Sequence, residues 1–158
     1  LSIERLRGCA EELRAASNPV LLRPETMGKG AMLGSLEDTL KMSQAIPGVL
    51  PCIDFPHLHA RAGDGSMNSY DEWSQVLEAY AKALGQDALS QMHIHVSGIE
   101  YGPKGEKNHV PVLEADLDWQ ALFKALREFN CSGRMLCESP DLEDDALILK
   151  EKWDSLKD

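Results

Sequence analysis

Four short apolar runs in the sequence each hold an ionisable residue, either inside the run or just after it. These residues are Glu25, Asp54, His93 and Glu138. One charged residue after such a run is usually an ordinary solvated loop residue, but residues of these types in four runs form a pattern. Three carboxylates brought to one place repel each other, and a divalent cation between them relieves the repulsion. Because carboxylates and imidazole together suit zinc, manganese or iron, the pattern predicts a metal site.

Other histidines lie close to these residues in the sequence. His57 follows Asp54 by three residues and is either a metal ligand or a hydrogen-bond donor to a substrate oxygen, with an ordinary loop histidine as the alternative. His95 follows His93 by two residues. On a strand such residues face the same side, so His95 either lines the site or packs beneath it. We expect His59 to be a surface loop residue.

Helical and extended segments alternate along the chain and would position these side chains. Apolar residues at three- and four-residue spacing predict helices over 2–16, 36–46, 70–84, 117–129 and 141–156. Ser35 with Asp38, and Ser69 with Glu72, are the capping pairs expected at the start of the second and third helices. The apolar runs that separate the helices are 19–23, 48–53, 92–96 and 134–137. They show no polar face and each precedes a helix, which is typical of a parallel sheet covered on both sides.

The alternation predicts an α/β fold with about four parallel strands, namely the C-terminal half of a (β/α)8 TIM barrel. A complete barrel of this kind needs about 250 residues, whereas this chain has 158. We therefore expect one partial barrel domain over residues 1–158 that lacks the N-terminal half. Its uncovered strand edges would favour self-association. In such a barrel the carboxyl ends of the strands meet at one mouth, where the ionisable residues would gather.

The order of these residues resembles the endonuclease IV family, also called AP endonuclease family 2, within the xylose isomerase-like barrels. The metal set that resembles the superfamily's Glu/Asp/His/Glu pattern is Glu25, Asp54, His93 and Glu138. The stretch 25–34 is similar to the family's E-x-x-G-x-G loop, and Cys52-Ile53-Asp54 with His57 is similar to its C-I-D-x-x-H motif. The resemblance runs from about residue 19 to residue 140. The sequence that follows His93 resembles a divergent, archaeal-type subgroup of the family more than the bacterial enzyme.

The resemblance also implies roles for individual residues. It implies that Glu25 and Glu138 are catalytic, and it implies a metal-ligand set of Glu25, Asp54, His57, His93, His109 and Glu138. The family's D-x-H pair, which helps to hold a third metal, corresponds here to Lys107-Asn108-His109, and a charged lysine cannot bind a metal. Lys29 and Lys107 are candidates for contacts with phosphate, and solvated lysines are the alternative.

The activity implied by the resemblance is hydrolysis of a phosphodiester bond at abasic sites in DNA, with Zn2+ as the cofactor and Mn2+ as a second choice. Damaged DNA would then be the partner. The same four ligands can also hold one metal that polarises adjacent oxygens of a sugar. A sugar or sugar-phosphate isomerase or epimerase is therefore the alternative. A metal-binding fragment without catalytic activity is a third hypothesis.

Composition limits these functions without choosing among them. The net charge is −10, from 16 basic and 26 acidic residues, which is a weak footprint for a nucleic-acid binder and favours the sugar alternative. No apolar run approaches the length of about 20 residues that a membrane helix needs, and residues 1–16 do not form a signal peptide. We expect a cytoplasmic protein without a membrane partner. The scattered cysteines Cys9, Cys52, Cys131 and Cys137 lack zinc-site spacing and predict reduced, buried thiols.

Overall fold

The computed structural model describes residues 2–156. The helices are α1 (Ser2–Ala15), α2 (Leu36–Ala45), α3 (Phe55–Arg61), α4 (Tyr70–Leu84), α5 (Trp119–Glu128) and α6 (Glu143–Ser155). The strands are β1 (Cys52–Asp54), β2 (Met92–Val96), β3 (Gly98–Gly102), β4 (Gly105–Val110) and β5 (Gly133–Cys137). A 3₁₀ helix over Gln86–Gln91 leads into β2. Strands and helices alternate as the apolar pattern predicts.

The main sheet is parallel and has the strand order β1-β2-β5. Two isolated parallel bridges, Leu22 with Val49 and Glu25 with Cys52, add the segment before α2 to the open side of β1. Four parallel segments therefore lie side by side, which is half the number of strands in a (β/α)8 barrel. The predicted fold, an α/β half-barrel, is confirmed.

Alternation along β2 decides which side chains face the helices. Met92, Ile94 and Val96 belong to the main hydrophobic core, together with residues of α4 and α5 such as Trp73 and Phe123. Successive strand residues point to opposite faces, so the two intervening residues, both histidines, lie on the inner face of the sheet. Burial of the apolar set thus fixes the side on which the polar residues collect.

The predicted helices and capping pairs agree with the structure, whereas the first two strands differ from it in extent. Both capping boxes form, at Ser35 and at Ser69. The expectation of a strand over 19–23 is wrong in extent, because only Leu22 forms an isolated bridge there, and the run 48–53 likewise contributes only its end to β1. Proline at position 24 lacks the N–H that a continuous ladder would use. The segment remains extended enough to place Glu25 beside β1.

The β3–β4 hairpin and the short helix α3 were not predicted from the sequence. β3 pairs antiparallel with β4, and the register shifts between Glu100 and Tyr101. Because Glu100 pairs with Asn108 and Tyr101 pairs with Glu106, Lys107 is the extra residue of a β-bulge. Gly105 has a φ of 96°, and a Cβ there would lie 2.2 Å from the carbonyl oxygen of Gly28. The hairpin can therefore approach the 28–34 loop closely only with glycine at its turn.

Within residues 2–156, no helix combines the length and the apolar character that crossing a membrane would require.

The four cysteines all have free thiols. Cys52 is buried and Cys131 and Cys137 are half-buried, but Cys9 is exposed on α1. The expectation of burial is therefore wrong for Cys9.

Candidate metal centre

Three carboxylates and one histidine converge at the carboxyl ends of the parallel segments. The residues of this quartet are Glu25, Asp54, His95 and Glu138, and one ligand-type atom from each lies within 4.8 Å of the others. Nδ1 of His95 is 3.2 Å from Oε1 of Glu138 and 3.7 Å from both Oε1 of Glu25 and Oδ2 of Asp54. Oxygen and imidazole ligands at this spacing are suited to a divalent ion.

Two buried atoms of the quartet have no hydrogen-bond partner among the described residues. They are Oδ2 of Asp54 and Nδ1 of His95. Asp54 is completely buried and His95 is only 7% exposed. Leaving such atoms unpaired costs free energy, and buried polar groups normally have partners. A divalent cation bound by both atoms would satisfy them, so the residues present fit a metal ion.

Asp54 is held in place on both of its sides. Its backbone N–H donates to the hydroxyl of Thr26 at 2.9 Å, and that hydroxyl donates to the carbonyl of Asp54 at 3.1 Å. Oδ1 of Asp54 accepts the backbone N–H of His57 at 2.6 Å and so caps α3. In the D-x-x-H motif, the aspartate is therefore the N-cap of α3 and the histidine is the third residue of that helix. Oδ1 of Asp54 makes the cap, and Oδ2 faces the other three residues of the quartet.

His57 lies beside the quartet and links it to the hairpin. Its Nδ1 donates to the carbonyl of Thr26 at 2.9 Å and lies 3.2 Å from Oε1 of Glu25. Its Nε2 lies 3.1 Å from Oε2 of Glu106, which also accepts the N–H of Gly28 at 3.0 Å. A Cβ on Gly28 would lie 2.2 Å from that oxygen, so a larger residue cannot stand there without moving Glu106. Glu106 was not predicted from the sequence, because the hairpin that carries it was not predicted.

Shifted pKa values show how the charges of this site compensate each other. The imidazoles of His57 and His95 beside the carboxylate lower the pKa of Glu25 to about 2. The side chains of Asp54, Cys52 and Glu25, which lie around the imidazole, raise the pKa of His95 to about 12. Burial alone would lower the pKa of His57, but Glu25, Asp54 and Glu106 outweigh it and raise the value to about 9. The carboxylates and imidazoles of this site thus stabilise each other's charged forms, and a bound divalent ion would displace the proton of the imidazole that it binds.

His95, and not His93, lies among the carboxylates, which corrects the position named from the sequence. Both histidines are on the inner face of β2, but His95 is nearer to the carboxyl end, where Asp54 is its register partner. His93 lies one layer deeper, beside Cys52, and its ring centroid is 5.3 Å from that of His95. A pattern of i and i+2 residues could not decide which of the two reaches the strand end.

His109 lies at the rim of the quartet. Its Nε2 is 4.0 Å from Oε2 of Glu138, its Nδ1 is 2.6 Å from the hydroxyl of Ser97, and its ring centroid is 5.4 Å from that of His57. The bulge at Lys107 shifts the alternation of β4, so that Glu106 and His109 both approach the site.

The two lysines that were predicted to contact phosphate are each paired with a carboxylate. Nζ of Lys107 donates to Oε1 of Glu100 at 2.8 Å, and Nζ of Lys29 lies 3.9 Å from Oε1 of Glu106. Both side chains are about half exposed, at 53% and 47%. The contact with phosphate therefore stays a prediction.

His59 is fully buried, so the expectation of a surface loop residue is wrong. Its Nδ1 lies 3.0 Å from the carbonyl of Met67, and its Nε2 lies 3.0 Å from Oδ1 of Asp116. Tyr101 of β3 donates to Oδ2 of the same Asp116 at 2.7 Å. The network ties α3 to the hairpin. The start of α3 could have been predicted from the sequence, because Asp54 is a typical N-cap residue and Pro56 is typical of a first helical turn.

Residues 1–158 match the family described as the xylose isomerase-like TIM barrel. The chain belongs to the xylose isomerase-like TIM barrel family. This superfamily is mostly enzymatic, and its members often bind divalent metals.

Individual relatives agree with this assignment and are longer than the chain. It is 42% identical over 146 residues to the uncharacterized protein MJ0133 of Methanocaldococcus jannaschii, covering 92% of this chain and 53% of that protein. A D-tagatose 3-epimerase-like protein has a TM-score of 0.67 at 17% identity, covering 97% of this chain and 52% of that one. The crystal structure of AsfvAP:AG gives 0.59 at 13% identity, with 87% and 52% covered. These solved structures support the fold alone, and the chain spans about half the length of each relative.

Proposed function

We propose that this protein is a metal-dependent phosphodiester hydrolase that acts at abasic sites in DNA. The observation that carries the proposal is the group of ligand-type residues beside the quartet, namely His57, Glu106 and His109. One ion that polarises a sugar needs only the four residues of the quartet. Additional imidazoles and a further carboxylate at the same mouth suit a cluster of ions, which is the arrangement used to clamp a phosphate during hydrolysis.

Glu25 and Glu138 are the proposed catalytic residues, and they differ in what they can do. Glu25 stands between His57 and His95, and its lowered pKa keeps it ionised, which suits a ligand. Glu138 stands between His95 and His109, and 37% of its side chain is exposed. An attacking water and a substrate phosphate can therefore reach Glu138, as they can also reach Glu25, whose side chain is 31% exposed. When bound, Zn2+ or Mn2+ supplies positive charge that neutralises the phosphate and the leaving oxygen.

Lys29 and Lys107 are the proposed contacts to the DNA backbone. Each is held by one carboxylate at the surface, where an ion pair contributes little to stability. A phosphate can replace that partner at low cost. Neutralising phosphates in this way would make binding fall steeply with added salt.

The test is cleavage of a duplex with one abasic site by the intact, metal-loaded protein, with the same duplex lacking that site as the control. We expect strand cleavage that is lost after chelation and restored by Zn2+ or Mn2+. Glu138→Gln should abolish cleavage while circular dichroism stays unchanged, and Glu143→Gln, on α6 away from the quartet, should cleave normally. Metal-loaded protein that leaves the abasic duplex intact would exclude the proposal.

The second candidate is a metal-dependent sugar or sugar-phosphate isomerase or epimerase. It is favoured by the net charge of −10 and by the pairing of both lysines with carboxylates, which leaves little free positive charge for DNA. The same protein preparation, incubated with ketoses and ketose phosphates in deuterated water, would show solvent deuterium in an epimerised product. Metal binding with neither activity would instead support a non-catalytic, metal-binding role.

A further inference from the structure

A second group of ligand-type residues lies one layer beneath the quartet on the inner face of the sheet. It consists of Cys52, His93 and His95, and one donor atom from each lies within 4.8 Å of the others. Cys52 and His93 are register partners across β1 and β2. Adjacent strands are about 4.8 Å apart, so these two side chains are neighbours on the same face.

The surroundings of Cys52 differ from those of an ordinary buried cysteine. Cys131 and Cys137 pack against the main hydrophobic core, as small apolar side chains do. Cys52 is only 3% exposed, yet it belongs to neither hydrophobic cluster of the described residues. Its neighbours on the inner face are imidazoles, which are metal ligands themselves.

We propose that Cys52, His93 and His95 form a second metal site, which takes a borderline or soft divalent ion such as Zn2+. Sulfur and imidazole donors select this kind of ion, whereas the oxygen-rich quartet also accepts harder ions such as Mn2+. Binding forms one bond from the ion to sulfur and one to a nitrogen of each imidazole, while the thiol proton and the extra proton of a charged imidazole leave to solvent. Three protein ligands leave the fourth tetrahedral position open.

His95 belongs to both groups of ligands, which couples them. A neutral imidazole has one nitrogen with a free lone pair, so His95 serves one ion at a time. Its Nδ1 already faces the three carboxylates of the quartet. The sulfur site therefore gains its third ligand when the quartet releases His95, and weakening the quartet favours the lower site. This inference does not depend on the reaction that the protein catalyses.

Cobalt(II) titration of the intact protein separates the two sites, because a thiolate ligand gives a charge-transfer band in the near ultraviolet that oxygen and nitrogen ligands do not. We expect this band in the wild type and a stronger one in Glu138→Gln, where the quartet is weakened. Cys52→Ser should remove it, and His93→Ala should need at least about tenfold more cobalt for the same absorbance. Cys137→Ser, which changes a half-buried thiol on β5, two strands away from Cys52, is the matched control and should keep the band.

Several results would overturn the site. They are a missing band at saturating cobalt in both the wild type and Glu138→Gln, a band that survives in Cys52→Ser, and a band in His93→Ala that appears at the wild-type cobalt concentration. Circular dichroism shows whether each variant is folded. If Cys52→Ser does not fold, the His93→Ala titration decides, since the half-buried imidazole is the less disruptive replacement.

Discussion

The ligand-type residues of the mouth lie on two regions that are built differently. Asp54 and His95 are register partners on paired, buried strands of the main sheet. Glu106 and His109 lie on the two-stranded β3–β4 hairpin, which is separate from that sheet. Asp54 is fixed by hydrogen bonds of its own backbone, whereas His109 is held through its side chain by Ser97. The strands of the main sheet therefore hold their ligands on a buried core, whereas the hairpin holds Glu106 and His109 on a two-stranded ladder that is partly exposed.

This difference suggests separate functions for the strand ends and for the hairpin. Residues on strand ends keep a metal-binding geometry because the core beneath them resists movement. Hairpins and loops tolerate change and commonly carry substrate contacts. We infer that the strand side sets affinity for the ion and that the hairpin side sets the fit to a substrate. Changes on the two sides should therefore have unequal effects on metal binding.

The largest effect should come from Asp54→Asn on the strand side. The amide can still accept the N–H of His57 and cap α3, because asparagine is as good a cap as aspartate. The quartet loses one charge and one anionic ligand, so zinc affinity should fall by about 100-fold or more. Isothermal titration with zinc measures this change.

The matched control for that variant is Asp118→Asn. Asp118 caps α5 through the N–H of Ala121 and takes no part in the quartet. It should leave zinc affinity unchanged. Equal zinc affinity of Asp54→Asn and the wild type would contradict the assignment of Asp54 as a ligand.

Sequence patterns could predict the strand side of the site, because its determinants are local. An apolar run followed by an acidic residue marks both the strand and its end, and this rule identified Glu25, Asp54 and Glu138, which do converge. The rule did not distinguish His93 from His95. The period of two on a strand shows that both face the same side of the sheet, but it does not show which of them is level with Asp54. That level depends on the register between β1 and β2, which only tertiary pairing fixes.

The hairpin side could not be predicted, because its sequence gives little local signal. β4 has the burial pattern of a mostly exposed strand, with Glu106, Lys107 and Asn108 in succession. Whether Glu106 or Lys107 approaches His57 is decided by the bulge, and one added residue reverses the alternation that a sequence reading assumes. The buried state of His59 likewise depends on Asp116, 57 positions further along the chain.

A smaller effect is expected for Thr26→Val, which removes the hydroxyl that joins the Glu25 segment to the end of β1. The backbone N–H of Asp54 then loses its buried partner, so the free energy of unfolding should fall by about 1–3 kcal/mol. Zinc affinity should also fall, but less than in Asp54→Asn, because all ligands remain. Chemical denaturation and zinc titration measure the two changes.

Thr39→Val is the control for this substitution. Thr39 is equally buried, but its hydroxyl donates to the carbonyl of Leu36 inside α2, away from the quartet. It should change zinc affinity little. If both threonine variants lowered zinc affinity equally, Thr26 would have no special part in positioning Asp54.

On the hairpin side, Tyr101→Phe should cost only about 0.5–1.5 kcal/mol of unfolding free energy, because it removes one hydrogen bond to Asp116. Zinc affinity should stay as in the wild type, since the ligands of the quartet lie on other elements. Amide hydrogen exchange should become faster in β3 and β4.

The control is Tyr70→Phe, which removes a similar hydrogen bond to Glu128 away from the site and should leave exchange in the hairpin unchanged. A loss of zinc affinity in Tyr101→Phe would remove the distinction between the two sides.

The smallest global effect is expected for Arg61→Lys, which acts on the loop after Glu25. The guanidinium of Arg61 donates to the carbonyls of Met27 at 2.6 Å, Lys29 at 2.9 Å and Met32 at 3.0 Å. A lysine ammonium has no planar fork and cannot reproduce these directions together. The lysine keeps the charge and can still donate to one of these carbonyls, and water can bond to the others at the surface, so the free energy of unfolding should change by no more than about 0.5 kcal/mol. Limited proteolysis should nevertheless cut the loop faster, since its carbonyls lose their common hydrogen-bond donor.

The control is Arg14→Lys, at an exposed arginine that donates to the carbonyl of Pro47, and it should not change that rate. An unchanged rate in Arg61→Lys would mean that the contacts of the loop with the hairpin, at Gly28 and Glu106, are enough to hold it.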